Sequence, residues 1–195
     1  MKFFHPLIHN NFEKNDLSLA SNFLKKNNIL TQSKNVKLFE KKWSEWLGVK
    51  YSIFVNSGSS ANFLSILAFG MLNKNKGEII VPSLTWISDI VAVIKNGYKP
   101  TFVDINLSNL SMNIDQVISK INKNTRAVFI THAQGFNGLN QKLLNFLKKK
   151  KIKLIEDVCE SHGAKYKGRK LGTFGEISNF SFYYAHHMST IEGGM

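Results

Sequence analysis

The sequence predicts an α/β protein: a three-layer sandwich in which helices cover both faces of a mainly parallel sheet. Three observations predict it. Short apolar, β-branched runs recur along the chain, each the length of a buried strand. Stretches of helical periodicity separate them. No repeat and no Pro- or Gly-rich linker breaks the alternation, so successive strands are joined by crossovers, as a doubly wound parallel sheet requires.

The elements follow in order. Residues 1–50 read as a helical segment. Within it Val36, Phe39, Trp43, Trp46 and Leu47 recur at helical spacing, and Gly48 stands where a left-handed cap ends a helix. YSIFV (51–55) reads as the first strand, NSGSS as its exit, and SANFLSILAFGML as a helix. EIIVP (78–82) is the next strand and TWISDIVAVIKNG the next helix. PTFVD (100–104) leads to a helix after Asn113, with Gln116 at capping-box spacing. RAVFI (126–130) precedes a helix near 138–150, and KIKLIED (151–157) and NFSFY (179–183) complete the set. Ligands in such sheets bind beyond the carboxyl ends of the strands. Function is therefore expected at 57–60, 84–86, 157–160 and 181–187.

Composition narrows the classes. The chain of 195 residues is 43% hydrophobic and 20% charged, enough apolar surface for a folded core. No apolar run approaches the ~20 residues of a membrane span. The start, MKFFHPLIHNNFEKN, has neither a long apolar stretch nor a small-residue cleavage site, against a secretory signal. A single cysteine, Cys159, fits a reducing, cytoplasmic compartment. The net charge is +13, but only Arg126 and Arg169 are arginine. Phosphate and nucleic-acid surfaces favour the planar guanidinium, and no recognition motif accompanies the lysines. The run Lys148–Lys151 follows an apolar helical pattern, where positive charge is ordinary. Neither a nucleic-acid nor a membrane partner is expected.

Each strand end carries a residue with two readings. Gly58 and Ser59 open a helix, where small residues let backbone N–H groups approach an anion; the same turn also serves as a plain strand-to-helix connection. It is neither a Walker loop nor a dinucleotide fingerprint. Asp157 is a carboxylate facing a ligand or a helix N-cap. Trp86 is a stacking plate or a core side chain. Ser181 alternates with Phe180 and Phe182, so it faces away from them, toward a phosphate or simply on the less apolar face. His186 and His187 are adjacent, point in different directions and have no carboxylate or thiol at ligand spacing, so no metal is expected. Together these positions describe a pyridoxal-phosphate pocket.

NSGSSAN, GEIIVPSLTW, KPTFVDI, LIEDVCESHGAKYKGRKLGTFGEISNFSFYY and EGGM resemble the DegT/StrS sugar aminotransferase superfamily, from about Thr31 to the last residue. The resemblance implies the large domain of fold type I, here 51–195 and incomplete. It implies pyridoxal phosphate or pyridoxamine phosphate as cofactor, with Gly58, Ser59 and Ser181 on its phosphate. Trp86 would lie on its ring, Asp157 on the ring nitrogen, and Glu160, usually Gln in the aminotransferases, on the phenolic oxygen. One position departs. Family aminotransferases carry, five residues after this serine, the lysine that binds the cofactor covalently. Here that residue is His186, and no lysine follows Lys170. An imidazole forms no stable bond to the cofactor aldehyde, but it moves protons near neutral pH.

The swap resembles the family's two dehydratase branches, which act on GDP- or CDP-linked 4-keto-6-deoxy sugars; the second also needs an iron–sulfur cluster. Glu160 and Ser161 are more like the first. That resemblance implies a nucleotide-linked 4-keto-6-deoxy sugar as substrate and L-glutamate as amino donor, with surface-polysaccharide biosynthesis as the setting. His186 would be the catalytic base, His187 structural. Asn28, Ile29, Leu30 and Thr31 would form a loop that meets the nucleotide sugar. It further implies a homodimer whose partner completes each cofactor site, and a chain that is the N-terminal portion of a longer enzyme. A sugar aminotransferase and a non-catalytic cofactor-binding homologue stand as alternatives.

Overall fold

The computed structural model describes residues 13–26 and 29–195. Helices α1 (Lys14–Lys25), α2 (Lys34–Leu47) and α3 (Gly58–Leu72) precede β1 (Glu78–Pro82), α4 (Ile87–Lys95) and β2 (Lys99–Val103). Then come α5 (Ile114–Lys120), β3 (Thr125–Thr131), α6 (Gln141–Lys150) and β4 (Lys153–Asp157). The hairpin β5 (Lys165–Tyr166) and β6 (Arg169–Lys170) and the strand β7 (Ile177–Asn179) end the order. One sheet runs β2-β1-β3-β4-β7, with every pairing parallel.

Side-chain parity builds the three layers. Ile79 and Val81 of β1, Ala127 and Phe129 of β3 and Ile155 of β4 share one core with Ile66 and Phe69 of α3 and Ala92 and Val93 of α4. The intervening residues Ile80, Val128, Ile130 and Leu154 face a second core with Trp43, Val117, Leu143 and Leu147, from α2, α5 and α6. The β1–β2 connection thus uses the α4 face and the β3–β4 connection the α6 face. The order in which strands are added reverses between β1 and β3, and the crevice beyond their carboxyl ends is where such sheets bind ligands.

Gly48, at φ 87°, closes α2 as expected. Asn113 caps α5 by accepting from the N–H groups of Asp115 and Gln116. The return half of that capping box is absent, because the Gln116 side chain accepts instead from the Asp104 N–H. The expected strand at 51–55 does not form. Tyr51 and Ile53 are exposed, and only Val55 makes an isolated antiparallel bridge, to Gly194. The last expected strand is also displaced: β7 stops at Asn179, and Ser181 bridges Gly194 in turn. Residues 193–195 therefore lie between 55 and 180–182, with backbone hydrogen bonds to both sides. Among the described residues no helix is long and apolar enough to cross a membrane.

Candidate active site

The turn 56–60 is built around close approaches. Ser57 caps α3, its Oγ accepting from the Ser60 N–H at 3.1 Å. A Cβ on Gly58 would stand 2.6 Å from the Cβ of Ser181 and 2.9 Å from its Oγ, with Cys159 Sγ at 3.4 Å. A Cβ on Gly194 would meet the Ser57 carbonyl oxygen at 2.2 Å. Small residues at 58 and 194 thus bring the first turn of α3, the buried Ser181 and residues 193–195 together. Beside the turn lies a cavity of about 570 Å³, lined by Ser59, Ser60, Asn56, Phe54 and Gln32, among others. Of the expected substrate loop, Asn28 lies outside the described residues, and Ile29, Leu30 and Thr31 are exposed. It is the next residue, Gln32, that lines the cavity, with backbone in the left-handed region at φ 49°.

Asp157 ends β4 with the parity of Ile155, so its side chain points to the α3/α4 face. It is buried. Its Oδ1 accepts from the Cys159 N–H at 2.8 Å; no helix follows, so it caps a turn and not a helix. Its Oδ2 accepts from Nδ2 of Asn62 at 3.3 Å. The same Nδ2 donates to Asp89 Oδ1 and to Ser88 Oγ at 3.0 Å. Asp89, only 1% exposed, also accepts from Thr85 and from Thr131 Oγ1 at 3.1 Å. Thr85 and Thr131 are themselves 2.6 Å apart, spanning the β1/β3 crevice. Burial pushes the Asp89 carboxyl well above the usual range, and the neighbouring charge of Asp157 adds to it.

Glu156, one residue earlier, has the opposite parity and faces the other layer. It is fully buried and accepts four hydrogen bonds, from His132 Nε2 and from the N–H groups of Gly172, Phe174 and Gly175. Burial raises its pKa, but those donors outweigh burial and the net shift is downward. His132 Nδ1 accepts from the Gly138 N–H at 3.1 Å, so Nε2 carries the ring proton toward Glu156. This arrangement fixes the loop from which Gln134 donates its N–H to Glu160 Oε2 at 2.8 Å. Ser161, buried beside it, donates to the His132 carbonyl and accepts from the Gly135 N–H.

Trp86 is 68% exposed and stands at the N-cap of α4, next to the anchored Thr85, so the core reading of it fails. His186 is half-buried. Burial lowers its pKa, while the charges of Glu160 and Asp157 act in the opposite direction; it therefore lies within electrostatic reach of both carboxylates. His187 turns away toward His162, ring centroids 5.7 Å apart, and lines a separate apolar cavity with Trp43, Trp46 and Met188. Burial, then the neighbouring His187 and His186, lowers the His162 pKa to about 4. Among the described residues no group of three or more His, Cys, Asp or Glu could hold a metal.

The structure thus brings Gly58 to Ser181 and Asp157 to Asn62, which also meets Asp89, while His186 lies within the electrostatic reach of Asp157 and Glu160. Sequence reasoning missed Gln32, Asn62, Asp89 and the His132–Glu156 pair. The one signal available was a polar residue inside an otherwise apolar helix, as at Asn62 and Asp89.

Comparison with known proteins gives concordant results. The profile of the DegT/DnrJ/EryC1/StrS aminotransferase family matches residues 11–195. A GDP-4-keto-6-deoxy-D-mannose 3-dehydratase of Yersinia pseudotuberculosis is 33% identical over 193 residues, 97% of this chain and 49% of the relative. A GDP-perosamine synthase of Escherichia coli O157:H7 is 35% identical over 167 residues, 86% of this chain and 45% of the relative. A solved GDP-4-keto-6-deoxymannose-3-dehydratase with a trapped PLP-glutamate geminal diamine superposes with a TM-score of 0.90 at 32% identity. The superposition covers 98% of this chain and 50% of that one. The chain spans about half the length of the curated relatives it matches.

Proposed function

The chain belongs to the DegT/DnrJ/EryC1/StrS aminotransferase family, and from that membership we propose that it is the cofactor-binding part of a pyridoxal-phosphate-dependent nucleotide-sugar 3-dehydratase. The substrate is a nucleotide-linked 4-keto-6-deoxy hexose, GDP-linked in the best-supported form, and L-glutamate is the amino donor. Residues 51–195 form the large domain and residues 1–50 a helical segment leading into it. The enzyme works in the cytoplasm, as a homodimer.

The residues present fit the cofactor. The Gly58–Ser181 approach leaves backbone N–H groups of the first turn of α3, with Ser59, beside a cavity of about 570 Å³, which suits a phosphate. Asp157 is a buried carboxylate without a cation partner among the described residues, which suits a protonated ring nitrogen. Trp86 has an uncovered indole that would lie on the cofactor ring, and Glu160, held by Gln134, would meet its phenolic oxygen. When bound in its amine form, the cofactor supplies the nitrogen that joins the sugar's keto carbon and the ring that accepts electrons.

One observation carries the dehydratase reading: His186 stands where the family's aminotransferases carry the lysine that binds the cofactor covalently. With its pKa lowered by burial, His186 is neutral at pH 7 and able to take a proton from the carbon next to the cofactor's amine. No side chain there can displace the amine by bonding to the cofactor, so loss of the sugar's 3-hydroxyl competes successfully with amino transfer. Net, glutamate becomes 2-oxoglutarate, its nitrogen leaves as ammonia, and the sugar is released without its 3-hydroxyl. The identity to a GDP-perosamine synthase favours a second reading, a sugar aminotransferase. His186→Asn discriminates: it should lower 3-deoxy sugar formation by about 10²–10⁴-fold, the range of general acid–base catalysis, while cofactor binding persists. Unchanged elimination in that variant would overturn the role given to His186, and an amino sugar that keeps its 3-hydroxyl as the product of the unaltered protein would overturn the dehydratase reading.

A further inference from the structure

Asp89 has no part in the mechanism above, yet it is among the most enclosed polar residues at the site. It lies one helix turn after Trp86, and its carboxyl touches only neutral partners and one acid. Asn62, Thr85 and Thr131 donate to it, and its carboxyl shares the Asn62 donor with that of Asp157. Asn62 Nδ2 has two hydrogens for three acceptors, Ser88, Asp89 and Asp157, so it ties both acids to one point. No lysine, arginine or histidine pairs with either acid among the described residues. The titratable groups around the pair are Cys159, after β4, whose thiol burial and these carboxylates push well up, and His186, which feels the charge of Asp157.

Two carboxylates buried this close, with no counter-ion, cannot both be ionised. One must keep its proton, and the surroundings differ. Asp157 accepts the backbone N–H of Cys159, a hydrogen bond that favours its charged form; Asp89 is the more enclosed of the two, 1% exposed against 4%, among α3, α4 and the end of β3. We propose that Asp89 is a positioning residue for Asp157: it holds a proton at neutral pH and donates it as a hydrogen bond to the Asp157 carboxylate. The pair then presents one negative charge, fixed in place by Asn62 and Asp89, toward the cofactor's ring nitrogen. This inference rests on the proposed role of Asp157.

The experiment has two arms. Infrared spectroscopy of the purified protein at pH 7 should show a protonated-carboxyl C=O stretch that Asp89→Asn removes. Titration with pyridoxal phosphate should show about tenfold or greater weakening in Asp89→Leu, the loss expected when a hydrogen bond to a charged group goes. Asp89→Asn, which keeps a neutral donor of the same shape, should recover most of that affinity. The pH midpoint of the bound cofactor's absorbance should move in Asp89→Leu and return in Asp89→Asn, which a merely structural role would not produce. Cofactor binding by a wild-type protein that lacks the infrared band overturns the inference alone, as does wild-type affinity in Asp89→Leu. The band without any cofactor binding keeps the proton on Asp89 and overturns instead the role given to Asp157.

Discussion

Gly58 and Ser181, 123 positions apart in the chain, approach so closely that a Cβ on the first would lie 2.6 Å from the Cβ of the second. That contact joins the first turn of α3 to the segment beyond β7, and the proposed phosphate site depends on it. Gly58→Ala should destabilise the fold by about 1–3 kcal/mol, as overpacking does, and weaken pyridoxal-phosphate binding. Ser181→Gly in the same protein should recover stability, because it removes the opposing Cβ. Thermal unfolding of the two single variants and the double variant measures the coupling.

The His132–Glu156 pair locks the loops that carry Gln134 and Gly172. Glu156→Gln leaves two of the four buried donors facing an amide N–H₂, because each carboxylate oxygen accepts from two of them. Breaking a buried pair in this way costs about 3–5 kcal/mol, and the midpoint of denaturant unfolding should fall accordingly. Because the folded-state pKa of Glu156 is lowered, its stabilising contribution is present above the unfolded carboxylate range and is lost as pH falls through the folded value.

His162 makes a separate contribution at higher pH. It is packed against Trp43, Phe180 and Phe182, and its pKa is held at about 4 against an ordinary 6.5. The unfolded chain therefore binds a proton that the folded one refuses, and stability should decline as pH falls from about 6.5 to 4. Melting temperatures measured across that window should show a shallower decline in His162→Phe.

The layered fold was legible because burial on both faces leaves continuous apolar runs: EIIVP is β1 to the residue, and β2, β3 and β4 fall within two residues of expectation. The run YSIFV misled, since Val55 pairs only with Gly194, a partner at the far end of the chain that no local pattern announces. Asp157 was legible as a strand-end residue, and β4 does end on it; Ser181 and His186 were expected at the end of a strand that instead stops at Asn179. Asp89 and Asn62 were not: each sits on a helix whose neighbours are apolar, and only the assembled α3/α4 face shows that both meet Asp157. Gln32 was missed for a similar reason, its loop reaching the cavity through a left-handed backbone.

The His186 substitution has a pH consequence. With its pKa below the ordinary value through burial, His186 is uncharged at neutral pH; if it is the base proposed above, the rate of 3-deoxy sugar formation should fall as pH drops below the ordinary imidazole range. Raising the pH above neutral should change little through this group.

The central claim concerns the fate of one nitrogen atom. The protein should be supplied with pyridoxal phosphate, ¹⁵N-labelled glutamate and a GDP-linked 4-keto-6-deoxy hexose, and the products followed by ¹⁵N NMR. The account predicts that the label appears as free ammonium, in equal amount to a sugar lacking its 3-hydroxyl. Label retained on carbon 4 of a sugar that keeps its 3-hydroxyl would contradict it.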